Sequence, residues 1–306
     1  MKSTGVKKHI KLIKRDKYLL LMFLPFVVYF IIFNYIPMTG LIIAFKDFKP
    51  GFGIYHGDWV GFRWFIQFFE SIFAYRIIRN TVLLNVYGLL LGFPAPILFA
   101  LVIVEVKNMF FRRVVQTASY LPHFISTVVI VGLITNLFSV RNGTINNFIA
   151  NMGGARIDFL HDPNYFRALF VGSGIWQGFG FGSILYISAI TSINPELYEA
   201  AKMDGINKFR EVIYITLPSI SHTIIILFIL SLGGIMSIGF EKAFLLGNAA
   251  TWETADVIST YVYRAGISGG AYSFATAIGF FNSLINFTLV YTANRIIRKT
   301  TQTSLW

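Results

Sequence analysis

The chain has 306 residues, of which 55% are hydrophobic and only 13% charged, and Phe alone accounts for 32. That usage, with a positive mean hydropathy, lies far from soluble globules and points to one helical membrane domain. Cysteine is absent, which excludes a disulfide framework, a thiolate nucleophile and a Cys-ligated metal; the formal charge of +12 is not arranged as the aromatic-interleaved stripe that marks a nucleic-acid binder.

Residues 1–17 carry Lys2, Lys7, Lys8, Lys11, Lys14, Arg15 and Lys17 and read as a basic cytoplasmic tail. The apolar run 18–45 is too long for a signal-peptide core and lacks a clear small-residue cleavage site, so it is the first of six expected spans, kinked or ended by Pro37. The aromatic-rich loop 46–77 clusters its turn residues in its first half, and 64–73 is predicted as a short interfacial helix. Span two covers 80–104, with Pro94 and Pro96 inside it, breaks that neighbouring helices can tolerate. A short basic loop leads to span three, 114–138. His123, in its first turns, reads as a packed or interfacial histidine, since no carboxylate neighbours it in sequence. The loop 139–165 is punctuated at Arg141-Asn142-Gly143, Gly153-Gly154 and His161-Asp162-Pro163, with a short helix predicted within 143–152. Span four, 166–193, carries Gly172, Gly174, Gly178, Gly180 and Gly182, small residues that let helix backbones approach closely. Span five is expected over 220–240 with Gly233-Gly234, a second sizeable external loop over 241–273, and span six over 274–297. Residues 298–306 form a second cytoplasmic tail. With the N-terminus inside, 16 Lys and Arg fall on the inner side against 10 outside, while acids split 6 against 8; this basic excess predicts both termini inside, and 194–218 with them.

The segment 194–218 is a polar interlude between two apolar runs. Asn194-Pro195 reads as a helix start, Ala200 and Ala201 keep one helix side small, and Gly205 can take the left-handed backbone that ends a helix. A second short helix follows, with Phe209, Val212, Ile213 and Thr216 at helical spacing, before Pro218. Glu199-Ala200-Ala201, then three residues including Asp204, then Gly205, nine residues and Ile215-Thr216-Leu217-Pro218 resembles, without a gap, the EAA loop of binding-protein-dependent ABC importer permeases. A lone Glu-Ala-Ala triplet says little; the full spacing in a loop of a multispanning chain is specific. The segments Gln116–Ser126, Trp176–Gly180, Thr254–Arg264 and Tyr272–Ala277 are similar to the carbohydrate-uptake branch, of the LplB-like polysaccharide and oligosaccharide kind, and the similarity spans about 15–300.

The resemblance implies an all-α, six-span, type I importer-like permease in a bacterial plasma membrane. Its EAA loop would be the coupling helix that docks on an ATPase, with Glu199, Ala200, Ala201, Asp204, Gly205, Ile215, Leu217 and Pro218 as coupling residues. Implied partners are a second homologous permease, two ATP-binding cassette subunits, an extracytoplasmic solute-binding protein, often a lipoprotein, and an oligosaccharide substrate. ATP and Mg²⁺ would be used by those ATPase subunits, with no cofactor or metal held by this chain.

The residues fit that picture independently. No phosphate-cradling Gly-x(4)-Gly-Lys-Ser/Thr loop occurs, so the chain is not expected to be an enzyme and hydrolysis must come from elsewhere. The cores of the apolar runs lack Asp, Glu, Lys and Arg, which argues against an ion-driven carrier. The polar groups expected at depth are neutral: Asn85 and Tyr87 in span two, Asn136 in span three, Trp176, Gln177 and Tyr186 in span four, and Asn282 and Asn286 on one face of span six. Amides, hydroxyls and aromatic rings suit a hydroxyl-rich ligand and are the candidate substrate path; interhelical hydrogen bonding is the plainer role for any one of them. Alternatives are a permease for a peptide or polyamine, or a membrane scaffold or receptor that transports nothing.

Overall fold

The computed structural model describes residues 15–232 and 239–301. Most of the basic tail, the Gly233-Gly234 pair and the extreme C-terminus lie outside them. Among the described residues the elements are helical, with no strand beyond a single Lys46–Trp59 bridge. Helices α1 (Lys17–Phe45), α3 (Ala74–Val104), α7 (Pro163–Thr191) and α14 (Tyr272–Thr301) are long and apolar enough to cross a membrane. Two further pairs pass the same test only together: α4 (Met109–Phe124) with α5 (Thr127–Phe138), and α9 (Lys208–Ser219) with α10 (Ser221–Leu232), bent by 104° and 66°. The described residues thus hold four to six candidate spans by length and composition. Shorter helices complete the chain: α2 (Arg63–Glu70), α6 (Thr144–Asn151), α8 (Pro195–Met203), α11 (Phe240–Leu246), α12 (Trp252–Ala255) and α13 (Ile258–Tyr263).

The apolar run expected as one span over 114–138 is therefore two helices meeting at Ile125-Ser126. The sequence carries the reason. Leu121–Phe124 tightens into a 3-10 turn around Pro122, Ile125 is extended, and the Ser126 hydroxyl starts a new helix by accepting the Val129 N–H. Pro37 does the opposite and leaves its helix running on to Phe45. A π turn over Ile31–Tyr35 precedes it, and another over Val212–Thr216 precedes Pro218. In each case the wide turn takes up the missing N–H and the bulk of the ring.

Helix α7 is the axis of packing. At one end Leu84, Ile130, Val171, Ala243 and Val257 form a buried cluster; at the other, Ala100, Tyr186, Ile190 and Ile220 form a second. Between them Gly180 lies against α4 so closely that a Cβ there would stand 2.0 Å from the Ser119 carbonyl oxygen. The aromatic loop folds against α14: Phe45 stacks on Trp59 and meets Phe62, Phe65 and Phe280 edge-on or tilted, while the Trp64 indole donates to the Lys46 carbonyl at 2.9 Å.

Candidate functional site

Helix α8 is built by its termini. The Asn194 carboxamide oxygen accepts the Glu196 N–H at 3.1 Å, Pro195 occupies the first turn, and Glu196 and Lys202 complement the two ends of the helix dipole. At the other end Gly205 has φ +70°; its N–H donates to the Lys202 carbonyl at 3.1 Å and the Ile206 N–H to the Ala201 carbonyl at 3.0 Å. That pair of bonds is the Schellman closure, which needs a left-handed residue at this position. Two residues on, Asn207 caps α9 by accepting the Arg210 N–H at 2.9 Å.

The resulting hook is fastened to the bundle. Lys208 Nζ donates to Glu211 at 2.8 Å and to Glu105, just beyond α3, at 3.1 Å. Glu211 is buried, and its hydrogen bond with Lys208 holds the ammonium pKa above the usual lysine value. The Tyr198 and Thr216 hydroxyls meet at 3.1 Å. Of the sequence-predicted coupling residues, Ala201 is buried, Ile215 and Leu217 are half-buried, and Glu199, Ala200, Asp204, Gly205 and Pro218 are exposed. Two large apolar side chains stand out on the free surface: Met203 is 89% and Phe209 73% exposed. Neither is marked by the motif.

Between α3, α7 and the start of α11 lie two adjoining cavities of about 570 and 530 Å³. Gly88, Gly92, Leu84, Pro96, Phe170 and Gly239 line both. The structure brings Asn85, Gln177 and Tyr186 to these walls. Asn85 donates to the Thr81 carbonyl at 2.6 Å, and Gln177 to the Ile125 carbonyl at 3.1 Å, at the break between α4 and α5. Trp176 instead lines a separate apolar cavity of about 310 Å³ with Leu137 and Leu169. Tyr87 and Asn136 are exposed, and Asn282 and Asn286 are half-buried on α14, away from both walls.

Charge enters this end of the bundle from segments that sequence reasoning assigned to loops. Glu241 and Lys242 line the larger cavity. Nearby, Asp256 is 2% exposed and accepts both 2.8 Å bonds from Arg264 Nη2, with Arg76 at 3.6 Å. Asn80, fully buried, donates to the Glu253 and Asp256 carbonyls and accepts from Arg167. Arg79 also donates to the Glu253 carbonyl. Arg264 and Arg76 thus pair with one buried carboxylate, while Arg79 and Arg167 join the same corner through the Glu253 carbonyl and Asn80. Arg76 and Arg79 sit three apart beside an apolar run, which is the visible signal; their partner lies far along the chain.

A model of the inner membrane component of binding-protein-dependent transport systems matches residues 92–301. The chain belongs to this family. Similar permeases include Protein LplB of Bacillus subtilis (strain 168), 42% identical over 96% of this chain and 92% of that one. The polygalacturonan/rhamnogalacturonan transport system permease protein YteP of the same organism is 43% identical over 95% of this chain and 90% of its own. Among solved structures, a chain of a bacterial ABC transporter importing the acidic polysaccharide alginate superposes with a TM-score of 0.90 at 45% identity, covering 96% of this chain and 99% of that one. A second structure of a bacterial alginate ABC transporter, in complex with a pentasaccharide-bound periplasmic protein, matches at TM-score 0.90 and 44% identity. This permease therefore has the all-helical type I ABC permease fold, with four to six candidate spans among the described residues.

Proposed function

We propose that this permease is one of two homologous membrane subunits of an ATP-driven importer that takes up oligosaccharides from an extracytoplasmic solute-binding protein. Both termini and the α8–α9 hook face the cytoplasm, and the opposite end, with its arginine cluster, receives the sugar. The observation that carries the mechanical part is the hook itself. It is capped at both ends, tied to α3 through Lys208 and Glu105, and continuous with α7 through Asn194, yet it leaves Met203 and Phe209 in the open. Exposed apolar side chains on a rigid projection, Leu197 and Tyr214 beside Met203 and Phe209, suit a groove on another subunit. The similarity to polysaccharide permeases, and to a permease crystallised with a sugar-loaded periplasmic protein, supports the substrate class.

In the cycle that follows, closure of two partner ATPases around ATP moves the hook as a lever. Because the hook is attached to α3 and α7, its displacement shifts two walls of the central cavity together. Glu199 and Asp204 supply polar contacts at the docking face, Ala200 and Ala201 allow close approach, and Gly205 sets the turn. Asn85, Gln177 and Tyr186 are the path residues of this chain. A polyamine would need an acidic lining, and the single carboxylate on these walls among the described residues, Glu241, stands beside the ammonium of Lys242. The test is reconstitution in proteoliposomes with the second permease, the ATPase subunits and the binding protein. Sugar-loaded binding protein is expected to stimulate ATP hydrolysis and drive saccharide uptake; ATP hydrolysis indifferent to the binding protein, with no uptake, would refute the assignment.

A further inference from the structure

We propose that Lys242 is a carboxylate-binding residue in the translocation path, and that the oligosaccharide carried is anionic, of the uronate type. The inference rests on the oligosaccharide reading above and narrows it. Lys242 is 9% exposed, yet it lines the 570 Å³ cavity from helix α11. Its ammonium donates to the Phe170 carbonyl at 2.8 Å and stands 5.0 Å from the centre of the Phe170 ring. An ammonium has three donors, and one backbone carbonyl uses one of them. Among the described residues no carboxylate comes within 4.0 Å of it. Glu241, its neighbour on the same cavity, is exposed. The contrast with Asp256 is direct: that buried charge is met by Arg264 at 2.8 Å on both oxygens.

A buried cation without a counter-ion is costly unless an anion visits it, and a weakly screened site strengthens the attraction when one does. The surroundings leave room for such a visit. Opposite the ammonium, Gly174 has no side chain, and a Cβ there would stand 3.4 Å from Nζ. Gly178 leaves open space one turn further on. Phe170, Phe240 and Pro96 offer apolar platforms, and Thr127 and Gln177 offer hydroxyl and amide partners. A sugar ring with a carboxylate substituent matches that set: faces for the platforms, hydroxyls for the amide, an anion for the ammonium.

The test uses the four-subunit complex of both permeases and both ATPases in lipid nanodiscs, without the binding protein, so that selection by the delivery protein does not enter. Equilibrium dialysis compares a labelled short oligouronate with the neutral oligosaccharide made from it by carboxyl reduction. Wild-type complex is expected to favour the oligouronate by about tenfold, the scale of one charge-assisted hydrogen bond. Lys242→Gln should abolish that preference while still binding the neutral sugar, and Lys242→Arg should keep most of it. Equal loss of both sugars in Lys242→Gln would make the residue a tether between α11 and α7 and overturn the proposal, as would an unchanged preference. A wild-type complex that binds the neutral sugar as tightly refutes the anion assignment and leaves oligosaccharide transport standing; one that binds neither sugar here, and takes up no saccharide when reconstituted with the binding protein, removes both.

Discussion

Gly205 offers the sharpest test of the hook, because geometry separates backbone from bulk there. Its φ of +70° closes α8, and a Cβ built on it would meet nothing within 4 Å. Substitution therefore carries a backbone cost without a steric one. For alanine in the left-handed region the cost is about 1–2 kcal/mol, partly offset by about 0.4–1 kcal/mol of lost unfolded-state entropy. A β-branched valine suffers more, whereas asparagine tolerates this conformation through its short polar side chain. The expected order of function is thus Gly, then Asn, then Ala, then Val, although Asn is larger than Ala. Each kcal/mol lowers the population of the closed turn about fivefold. The assay is the ratio of sugar taken up to ATP hydrolysed in proteoliposomes holding the whole importer. A loss that tracks side-chain volume, with Asn worse than Ala, would show that a partner packs against this position and would refute the backbone argument. Full coupling in Gly205→Val would refute the lever itself.

Other outcomes follow from the same geometry. Gly180→Ala should lower the thermal stability of the purified complex by about 1–3 kcal/mol or more, because its Cβ must displace the Ser119 backbone rather than a flexible side chain, while Gly178→Ala should fall within about 0.5 kcal/mol of wild type. Asp256→Asn removes the anion paired with Arg264 and Arg76, and a loss of about 3–5 kcal/mol is expected in chemical or thermal unfolding. Lys208→Met leaves the buried Glu211 without its ammonium and cuts the link to Glu105; uptake per ATP should fall, and adding Glu105→Gln to that variant should cost little more, a non-additivity read from the double-mutant cycle.

The hook was legible in the sequence because everything that builds it is local. An Asn-Pro start, a Gly in the left-handed position and a second Asn cap lie within a few residues of the groups they satisfy. Helix face along the apolar runs was not legible. Asn85 and Tyr87 are two residues apart, about 200° around a helix, so a cavity that takes one excludes the other. Trp176 and Gln177 part in the same way, onto different cavities. The charged groups were hidden for another reason. Lys242 and Asp256 belong to a segment that reads as an external loop, and only its return against α3 and α7 brings them inside; Thr81 accepting the Ile258 N–H at 3.0 Å and Thr254 donating to the Pro163 carbonyl at 2.8 Å are the clamps. Contacts between residues so far apart in the chain leave no local pattern.

That return also explains how a bundle whose apolar cores lack ionisable groups can discriminate charge. Placing a lysine in the middle of a span would cost several kcal/mol of insertion. Carrying it instead on the short helix α11, which packs onto the ends of finished spans, brings the ammonium to the cavity wall without that cost being borne by any single span. The same wall is formed by α7, whose other end runs through Asn194 into the hook. On the lever reading proposed above, displacing the hook would move Phe170 and Gly174 relative to Lys242 and change the proposed carboxylate site. A path residue shared between a helix that moves and an added segment would bind its cargo in one state and release it in the other.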